Sequence, residues 1–470
     1  MHVVWQDENV AYPKRKAISQ SAKDLQLHTG SSLYSPDAGK ASTYIFRLPV
    51  EILQRIFLFC QPPPLSRYCH PASPSPQIIK SKAFLPARVC RAWHAISLMM
   101  PELSPTIMVT RKPCNEPVGA AKILSSHLSR FLRCTVHPTF NFHYYTKDSH
   151  NNEAEEIVRL LADQSSRWRS VTLSMPFGCF ADLPSSIRGH LQSLQRLELL
   201  STSGHYIAEH LEIDIFQDAP ALHTVEFIGF IVRLLPWSQI KTLILSFVTL
   251  DDCLYALGAC ENLYSCHFIH RFQWSTDDLP HETGFSLPIT TRMRHLKVTG
   301  HGELSPLLQA IRAPYLTSIE WLSQDSQATL PSWLAFNKCY IQHLALPLSV
   351  ILDANILFAS GTLAYIPRVT IVIGPFDTFL FQLFIEKFND RDRETHVFSL
   401  LPKLRHLTLE FLSCVYPTSS EAETLFVNAV HARWLAGILL SLKLNARLRP
   451  ETIAQLKELS VAGFEIYGLG

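Results

Sequence analysis

The side chains best suited to metal chemistry lie close together in one stretch, at Cys260, Cys266, His267 and His270. Thiolate and imidazole groups are common zinc ligands, but they must converge on one point to bind the ion. The segment LYSCHFIH alternates as a β-strand does, so Cys266 and His267 are expected to point to opposite faces. This divergence favours structural roles and predicts no metal site.

Common catalytic motifs are missing from the sequence. It contains no G-x-S-x-G, H-E-x-x-H or C-x-x-C pattern, and the Gly-Lys pair in GSSLYSPDAGKAS (30–42) has the wrong spacing for a phosphate-binding loop. Four of the 21 histidines, His223, His295, His343 and His406, fall just before or inside predicted strands. We expect them to be turn or concave-face residues rather than general bases. The protein is therefore predicted not to be an enzyme and to use no cofactor.

Composition and charge argue against nucleic acid and membranes as partners. Charged residues make up 17% of the 470 residues, against about 25% in an average domain, and the net charge is +2. Without a Lys/Arg stripe, this balance predicts no nucleic-acid partner. The longest apolar run, at 369–385, is interrupted by Pro375 and Asp377, which predicts no membrane span.

Cysteine usage and the N-terminal residues point to a reducing compartment. The eleven cysteines are odd in number and scattered, and no N-x-S/T site occurs. The segment MHVVWQDENVAYPKRKAISQ has no apolar core of the kind a secretory signal carries. We expect a cytoplasmic and/or nuclear location.

The elements that must position these side chains repeat along the chain beyond residue 110. A motif of the form apolar-x-x-apolar-x-apolar returns at starts spaced 18 to 38 residues apart. The copies are WRSVTL from Trp168, LQRLEL from Leu194, LHTVEF from Leu222, IKTLIL from Ile240, LYSCHF from Leu263, MRHLKV from Met293, LTSIEW from Leu316, IQHLAL from Ile341, IPRVTI from Ile366, LRHLTL from Leu404 and LLSLKL from Leu439. A weaker copy, FLRCTV, starts at Phe131.

This repeat is typical of leucine-rich-repeat arrays. Alternate side chains of a strand share one face, so the last two apolar residues of each copy point inward together. A single strand cannot bury that face, but stacked neighbours can. A doubly wound parallel sheet is the alternative architecture, since it also alternates strands and helices.

The chain divides into three predicted parts. Residues 1–43 are polar and aperiodic, which predicts a disordered tail. Residues 44–108 hold two helical segments around a Pro-rich insertion at 61–79, and 109–470 form the repeat array. We expect a closing cap at its end, with Pro450 opening a helix and Gly463 ending it at the C′ position, followed by a final strand.

The helical part resembles an F-box. The family pattern opens with a Leu-Pro-x-Glu helix start and later carries Val-Cys-Arg-x-Trp and Pro-x-Leu; here these are LPVEILQRIF (48–57), VCRAWHAI (89–96) and PELSPTI (101–107). Departures are the Pro-rich insertion and Ser104, where the family often has Trp. The downstream part is similar to F-box and leucine-rich-repeat proteins abundant in mushroom-forming fungi, most clearly at 235–268.

The resemblance implies an α/β fold in which a small helical F-box-like domain precedes an irregular leucine-rich-repeat-like solenoid of parallel strands plus helices. It implies a substrate-recognition adaptor of a Skp–cullin–F-box ubiquitin ligase, docked on a Skp-type subunit and through it on a cullin, with an unknown substrate protein bound by the repeats. The docking residues it implies are Leu48, Pro49, Ile52, Leu53, Ile56, Phe57, Val89, Cys90, Trp93 and Ile96. Some of these must instead form the small core between the helices.

Three alternatives stay open at this point. The helices could simply cap the array, or the chain could be a repeat scaffold that acts outside any ligase. A third possibility is an enzyme built on an α/β sheet. The residues between the inward positions would line the substrate face, and their charges are mixed, so no ligand class follows. They include Glu198, Glu226, His267, Lys297, Glu320 and Thr408.

Overall fold

The structure is a computed structural model that describes residues 48–59, 89–98, 100, 106–110, 121, 124–125, 128, 140–146, 152–202, 212–273, 288–323, 329–353, 365–374, 377–391, 398, 400–411, 420–445 and 448–468. The expected tail at 1–43, the Pro-rich insertion at 61–79 and the weaker repeat copy from Phe131 lie outside these residues.

Helices and strands alternate along most of the described chain. The helices are α1 (Val50–Phe59), α2 (Arg91–Leu98), α3 (Asn152–Ala162), α4 (Leu250–Ala259), α5 (Ser305–Ala310), α6 (Thr329–Asn337), α7 (Leu348–Asp353), α8 (Thr378–Asn389), α9 (Ser420–Leu435) and α10 (Pro450–Val461). The first eight strands are β1 (Thr106–Thr110), β2 (Phe140–Tyr145), β3 (Trp168–Met175), β4 (Arg196–Ser201), β5 (Thr224–Ile228), β6 (Thr242–Ser246), β7 (Ser265–Gln273) and β8 (Ile289–Thr290). The others are β9 (His295–Glu303), β10 (Ile311–Arg312), β11 (Ser318–Ser323), β12 (His343–Pro347), β13 (Arg368–Ile373), β14 (His406–Phe411), β15 (Ser441–Asn445) and β16 (Glu465–Tyr467).

Fourteen of these strands form one open sheet in which sequence order and spatial order agree. Each strand is parallel to the next, from β1 to β16, and only β8 and β10 pair separately. A doubly wound sheet reverses its strand order at a switch point, so this order excludes that alternative. Because crossovers between parallel strands are right-handed, a sheet that grows in one direction carries its connections on one face.

All eleven repeat copies coincide with strands of this sheet. In ten of them the strand begins two residues after the first apolar residue of the motif, which we call the anchor residue; in the copy from Trp168 it begins at the anchor itself. The anchors and the two inward residues of each strand, such as Leu197 and Leu199, are buried. The predicted strands and their inward positions are confirmed, and the result is a repeat-like parallel α/β fold.

The helices share one core with the inward face of the sheet. Apolar residues from α4 to α10, such as Leu254, Phe384 and Leu456, belong to the same buried cluster as the strand residues. Local sequence fixes the helix ends. Thr249 caps α4, since its hydroxyl accepts the backbone N–H of Asp252 at 2.7 Å.

One buried cation lies within this core. The guanidinium of Arg433 on α9 donates to the carbonyl oxygens of Phe388, Leu400 and Leu401 at 2.6–3.0 Å. Its carbon lies 3.7 Å from the ring centroid of Phe388 and 4.2 Å from that of Phe398. Burial lowers the pKa of Arg433 to about 9, which leaves the side chain protonated at neutral pH. The arginine ties α9 to the end of α8 and to the turn before β14.

Backbone hydrogen bonds link each repeat to the next just before the strands begin. The residue after each anchor, which we call the post-anchor residue, offers its carbonyl oxygen to two N–H groups of the following repeat. Thus Lys241 accepts from Tyr264 and Ser265, and Arg294 accepts from Thr317 and Ser318, at 2.9–3.0 Å. The pattern runs from β4 to β15 and is interrupted at Pro367, because proline has no N–H to donate.

The final helix and strand lie where the sequence predicts them. Helix α10 begins at Pro450, and Gly463 follows it with a φ of 107°, a conformation that favours glycine. The N–H of Phe464 donates to the carbonyl of Leu459 and that of Gly463 to Ser460, both at 3.1 Å. This pair of bonds is the Schellman motif. The expected final strand is β16.

Two features of the first part of the sheet differ from the predictions. Strand β1 begins at Thr106, so the sheet starts just before the boundary expected between residues 108 and 109. Strand β2 was not predicted because its sequence, FNFHYY, uses aromatic residues where the motif has leucine. Its alternating burial shows the ordinary strand period.

Candidate partner-docking site

Helix α1 starts directly after the Leu-Pro pair, as the sequence predicts. The carbonyl of Pro49 accepts the N–H groups of Ile52 at 3.0 Å and Leu53 at 3.1 Å. The helix itself begins at Val50, so Pro49 occupies the N-cap position. Glu51 lies in the first turn, where the helix dipole favours a negative charge.

Helix α2 starts at a cysteine rather than at one of the usual capping residues. The sulfur of Cys90 accepts the backbone N–H of Trp93 at 3.5 Å, three residues along the chain. This is the contact that a serine or aspartate makes at a helix N-cap, formed here by a weak sulfur acceptor. The Val-Cys-Arg-x-Trp segment therefore sets both the start of α2 and the position of its tryptophan.

The two helices pack on a small core of their own. Within the described part of the chain, the buried side chains are Leu53, Phe57, Trp93, Ile96 and Met100, which form a cluster separate from the core of the sheet. The rings of Phe57 and Trp93 have centroids 5.0 Å apart and are tilted by 57°. Such aromatic pairs add about 1 kcal/mol beyond the area they bury.

The predicted docking residues fall into three groups around this core. Leu53, Phe57, Trp93 and Ile96 are buried. Leu48, Ile56 and Cys90 are partly buried against the cluster. Pro49, Ile52 and Val89 are exposed. The stripe of Leu53 and Phe57 therefore faces inward, Ile52 faces outward and Ile56 lies between them.

Three large apolar side chains of the helix pair are exposed. Val50 is 45% exposed, Ile52 42% and Val89 59%. Val50 was not among the predicted residues, although its place at the start of the helix beside Pro49 could have suggested it. These three exposed apolar side chains are available for contact with another molecule.

The outer face of the sheet carries the polar side chains that alternate with the buried ones. Glu198 and Glu226 were expected to be exposed there, and both are buried. Arg196 donates to both carboxylates, and the hydroxyl of Thr172 donates to Glu198 at 2.8 Å. The expectation was wrong because β3, β4 and β5 align these side chains in adjacent positions, where they cover one another.

The four histidines named from the sequence lie at or just before the starts of their strands. His295, His343 and His406 occupy the first outward position of β9, β12 and β14, and His223 directly precedes β5. His343 Nδ1 lies 3.1 Å from the hydroxyl of Ser318, and His406 Nδ1 lies 2.7 Å from that of Ser441.

Burial lowers the pKa of His343 and of His406 below the ordinary value. For His343 the charge of Arg368 and the neighbouring His295 add to this lowering of the pKa, while Glu320 and Glu410 oppose it. For His406 the added lowering comes from Arg368 and Arg405, opposed by Glu465. Both side chains are therefore neutral at pH 7.

The two buried cysteines of the stretch around residue 265 and its His267 lie on different sides of the sheet surface. Cys260 and Cys266 are buried, and His267 faces outward, where its Nε2 lies 3.2 Å from the hydroxyl of Thr299. Burial raises the pKa of the Cys260 thiol to about 12. No group of three or more metal-ligating side chains occurs among the described residues.

None of the helices in the described part of the chain has the length and apolar character that crossing a membrane requires. In comparisons with known proteins, no protein-family model matches the chain and no curated protein is significantly similar to it.

Proposed function

We propose that the chain is a substrate-recognition adaptor of a Skp–cullin–F-box ubiquitin ligase. In this proposal α1 and α2 are an F-box-like unit that docks on a Skp-type subunit, and the sheet is a leucine-rich-repeat-like solenoid that binds the substrate protein. The observation that carries it is the helix pair, which packs on its own core while Val50, Ile52 and Val89 stay on the surface.

The sequence of the helix pair supports the assignment. The Leu-Pro-x-Glu and Val-Cys-Arg-x-Trp segments that resemble the F-box pattern supply both the helix starts and the Phe57–Trp93 contact. A helix pair this small gains much of its stability from a partner that covers its remaining apolar side chains.

An adaptor of this kind carries out no bond chemistry itself. Holding a substrate beside the ubiquitin-charged enzyme raises the effective concentration of its lysines, which turns an encounter between two molecules into a reaction within one complex. Such a role needs two docking surfaces on one rigid scaffold and no catalytic side chains.

The test is co-elution of the purified full chain with a purified Skp-type subunit. Ile52→Glu places a charge at an exposed apolar position without entering the core. We therefore expect the affinity for the Skp-type subunit to fall by about tenfold or more while the melting temperature stays unchanged. The matched control is Val461→Glu, which changes a residue that is 90% exposed at the end of α10. No association of the wild-type chain at micromolar concentrations, or equal loss in both variants, would contradict the proposal.

A repeat scaffold that acts outside any ligase is the second candidate. It is favoured by the polar outer face, which offers partner-binding positions without any contribution from the helix pair. Deleting residues 61–79 separates the two candidates. If the insertion alone blocks docking, its removal restores binding of the Skp-type subunit, whereas continued absence of binding favours the scaffold.

A further inference from the structure

The edge of the sheet where the strands begin changes character halfway along. The residue just before each anchor, which we call the pre-anchor residue, is Ser193, Ala221, Gln239 and Asn262 before strands β4 to β7. Before β9, β11, β12, β13 and β14 the pre-anchor residues are Arg292, Tyr315, Tyr340, Tyr365 and Lys403. These five strands are consecutive neighbours in the sheet.

Among the described residues, pre-anchor side chains bond to neighbouring repeats in the first half of the sheet but not at the tyrosines of the second half. The side-chain amide of Gln239 donates to the carbonyl of Ala219 at 2.6 Å, and that of Asn262 donates to Ser238 at 2.7 Å. These bonds join neighbouring repeats. Tyr315, Tyr340 and Tyr365 are 60%, 66% and 61% exposed and make no such bond with any described residue. The three tyrosines therefore do not serve the fold in this way.

Positive charge accompanies the tyrosines. Arg294 and Arg405 occupy post-anchor positions in the same five repeats and are exposed, as are Arg292 and Lys403. We call this set of seven residues the tyrosine edge: Arg292, Arg294, Tyr315, Tyr340, Tyr365, Lys403 and Arg405. No pre-anchor or post-anchor position of these repeats holds an acidic residue, and none of the four cations forms an ion pair within the described part of the chain.

A groove crosses the tyrosine edge between two of its rings. It has a volume of about 250 Å³ and is lined by Arg294, Pro314, Tyr315, Leu316, Thr317 and Tyr340. The groove is wide enough for one side chain of an occupant, with a cation at one side and phenol rings at two others. Arginine and tyrosine are the residue types most enriched in the energetic centres of protein interfaces.

Dimensions and neighbouring charges limit what can lie there. Adjacent strands are about 4.8 Å apart, so five strands span roughly 19 Å, which is the length of about six residues of extended peptide. Glu320 and Glu410 lie further along the same strands, and Glu261 lies in the preceding repeat. These acids confine the positive area to a narrow strip, which favours a single extended chain over a wide polyanion such as duplex nucleic acid.

We propose that the tyrosine edge binds an extended acidic segment of a partner protein, with carboxylates on the cations and one side chain in the groove between Tyr315 and Tyr340. The proposal rests on the adaptor function in that it supplies the chemical class of the substrate. The binding itself does not involve the helix pair, so the two can fail separately.

The experiment measures fluorescence anisotropy of a labelled peptide with six consecutive glutamates, titrated with the full chain. We expect binding at micromolar protein concentrations that weakens as salt rises. The double variant Arg294→Glu with Arg405→Glu should lower affinity by about tenfold or more, because two attractive contacts become repulsive. Tyr340→Ala should lower it by about threefold or more, through loss of one wall of the groove.

A matched control makes the same change in charge elsewhere. Lys241→Glu with Lys443→Glu alters two exposed lysines outside the tyrosine edge, and its affinity should stay within about twofold of wild type. Ile52→Glu should bind the peptide as wild type does, even where it loses the Skp-type subunit. Absence of peptide binding, equal loss in both double variants, or tighter binding of a single-stranded oligonucleotide than of the peptide would overturn the proposal.

Discussion

The helix pair and the sheet differ in how completely they bury their apolar side chains. Helices α1 and α2 bury five side chains between them and leave apolar residues such as Ile52 and Val89 outside. The sheet buries the inward residues of its strands against a layer of helices and leaves polar residues outside. On the proposed function, the helix pair gains part of its stability from a partner, whereas the sheet buries its own apolar residues and would bind through charge and shape.

The two cores should respond separately to mutation, and the sheet core should show the larger effect. Trp321 on β11 is completely buried. We expect Trp321→Ala to lower the free energy of unfolding of the sheet by about 4 kcal/mol, because it leaves a large cavity. Urea unfolding followed by circular dichroism measures this loss, and a loss below about 1 kcal/mol would contradict a tightly packed sheet core.

Trp321→Phe is the control for this change. The indole N–H of Trp321 is buried and has no acceptor among the described residues, while that of Trp333 donates to the carbonyl of Ile311 at 3.1 Å. Replacement by phenylalanine removes an unsatisfied donor in the first case and a hydrogen bond in the second. We therefore expect Trp321→Phe to cost about 1 kcal/mol less than Trp333→Phe.

The matching change in the helix pair is Phe57→Ala, which removes the ring that contacts Trp93. We expect the pair to lose its packing while the main unfolding transition of the sheet stays within about 0.5 kcal/mol of wild type. Hydrogen exchange resolved by peptide follows the two regions separately. Loss of protection in the sheet as well would show that the two cores are one cooperative unit.

The smallest expected effect concerns pH and the polar outer face. Because the pKa of His343 is lowered by folding, the unfolded chain binds a proton more readily as pH falls below about 6.5, and stability is lost in that range. Since this side chain is only partly buried, we expect a loss of less than about 1 kcal/mol between pH 6.5 and 5. His343→Gln should flatten the dependence in chemical denaturation at these two pH values. An unchanged slope in this variant would exclude His343 as the source.

Much of the sheet was predictable because the repeat motif encodes burial directly. Each anchor and its two inward residues are apolar, and strand geometry alone assigns them to one face. Strand β2 was missed because Phe142 and Tyr144 replace the expected aliphatic residues at the inward positions. A search for alternation rather than for leucine would have found it.

The site was less predictable because it depends on which strands become neighbours. Glu198 and Glu226 lie in register on neighbouring strands and share the guanidinium of Arg196, and one strand considered alone does not show this. The tyrosine edge lies just outside the repeat motif, where no periodic constraint marks it. In the helix pair, the resemblance named ten residues without saying which are buried, and only packing showed that Leu53 and Phe57 face inward.

The order of acceptors and donors at the strand starts matches the order in which the chain is synthesised. At every step the acceptor belongs to the earlier repeat and the donors to the later one, as with Lys241 and Tyr264. A chain emerging from the ribosome therefore presents each acceptor before its donors are made. The carbonyl that receives the next repeat is synthesised first. Between β4 and β15, Pro367 is the one post-anchor residue that cannot supply the first donor, because proline has no N–H.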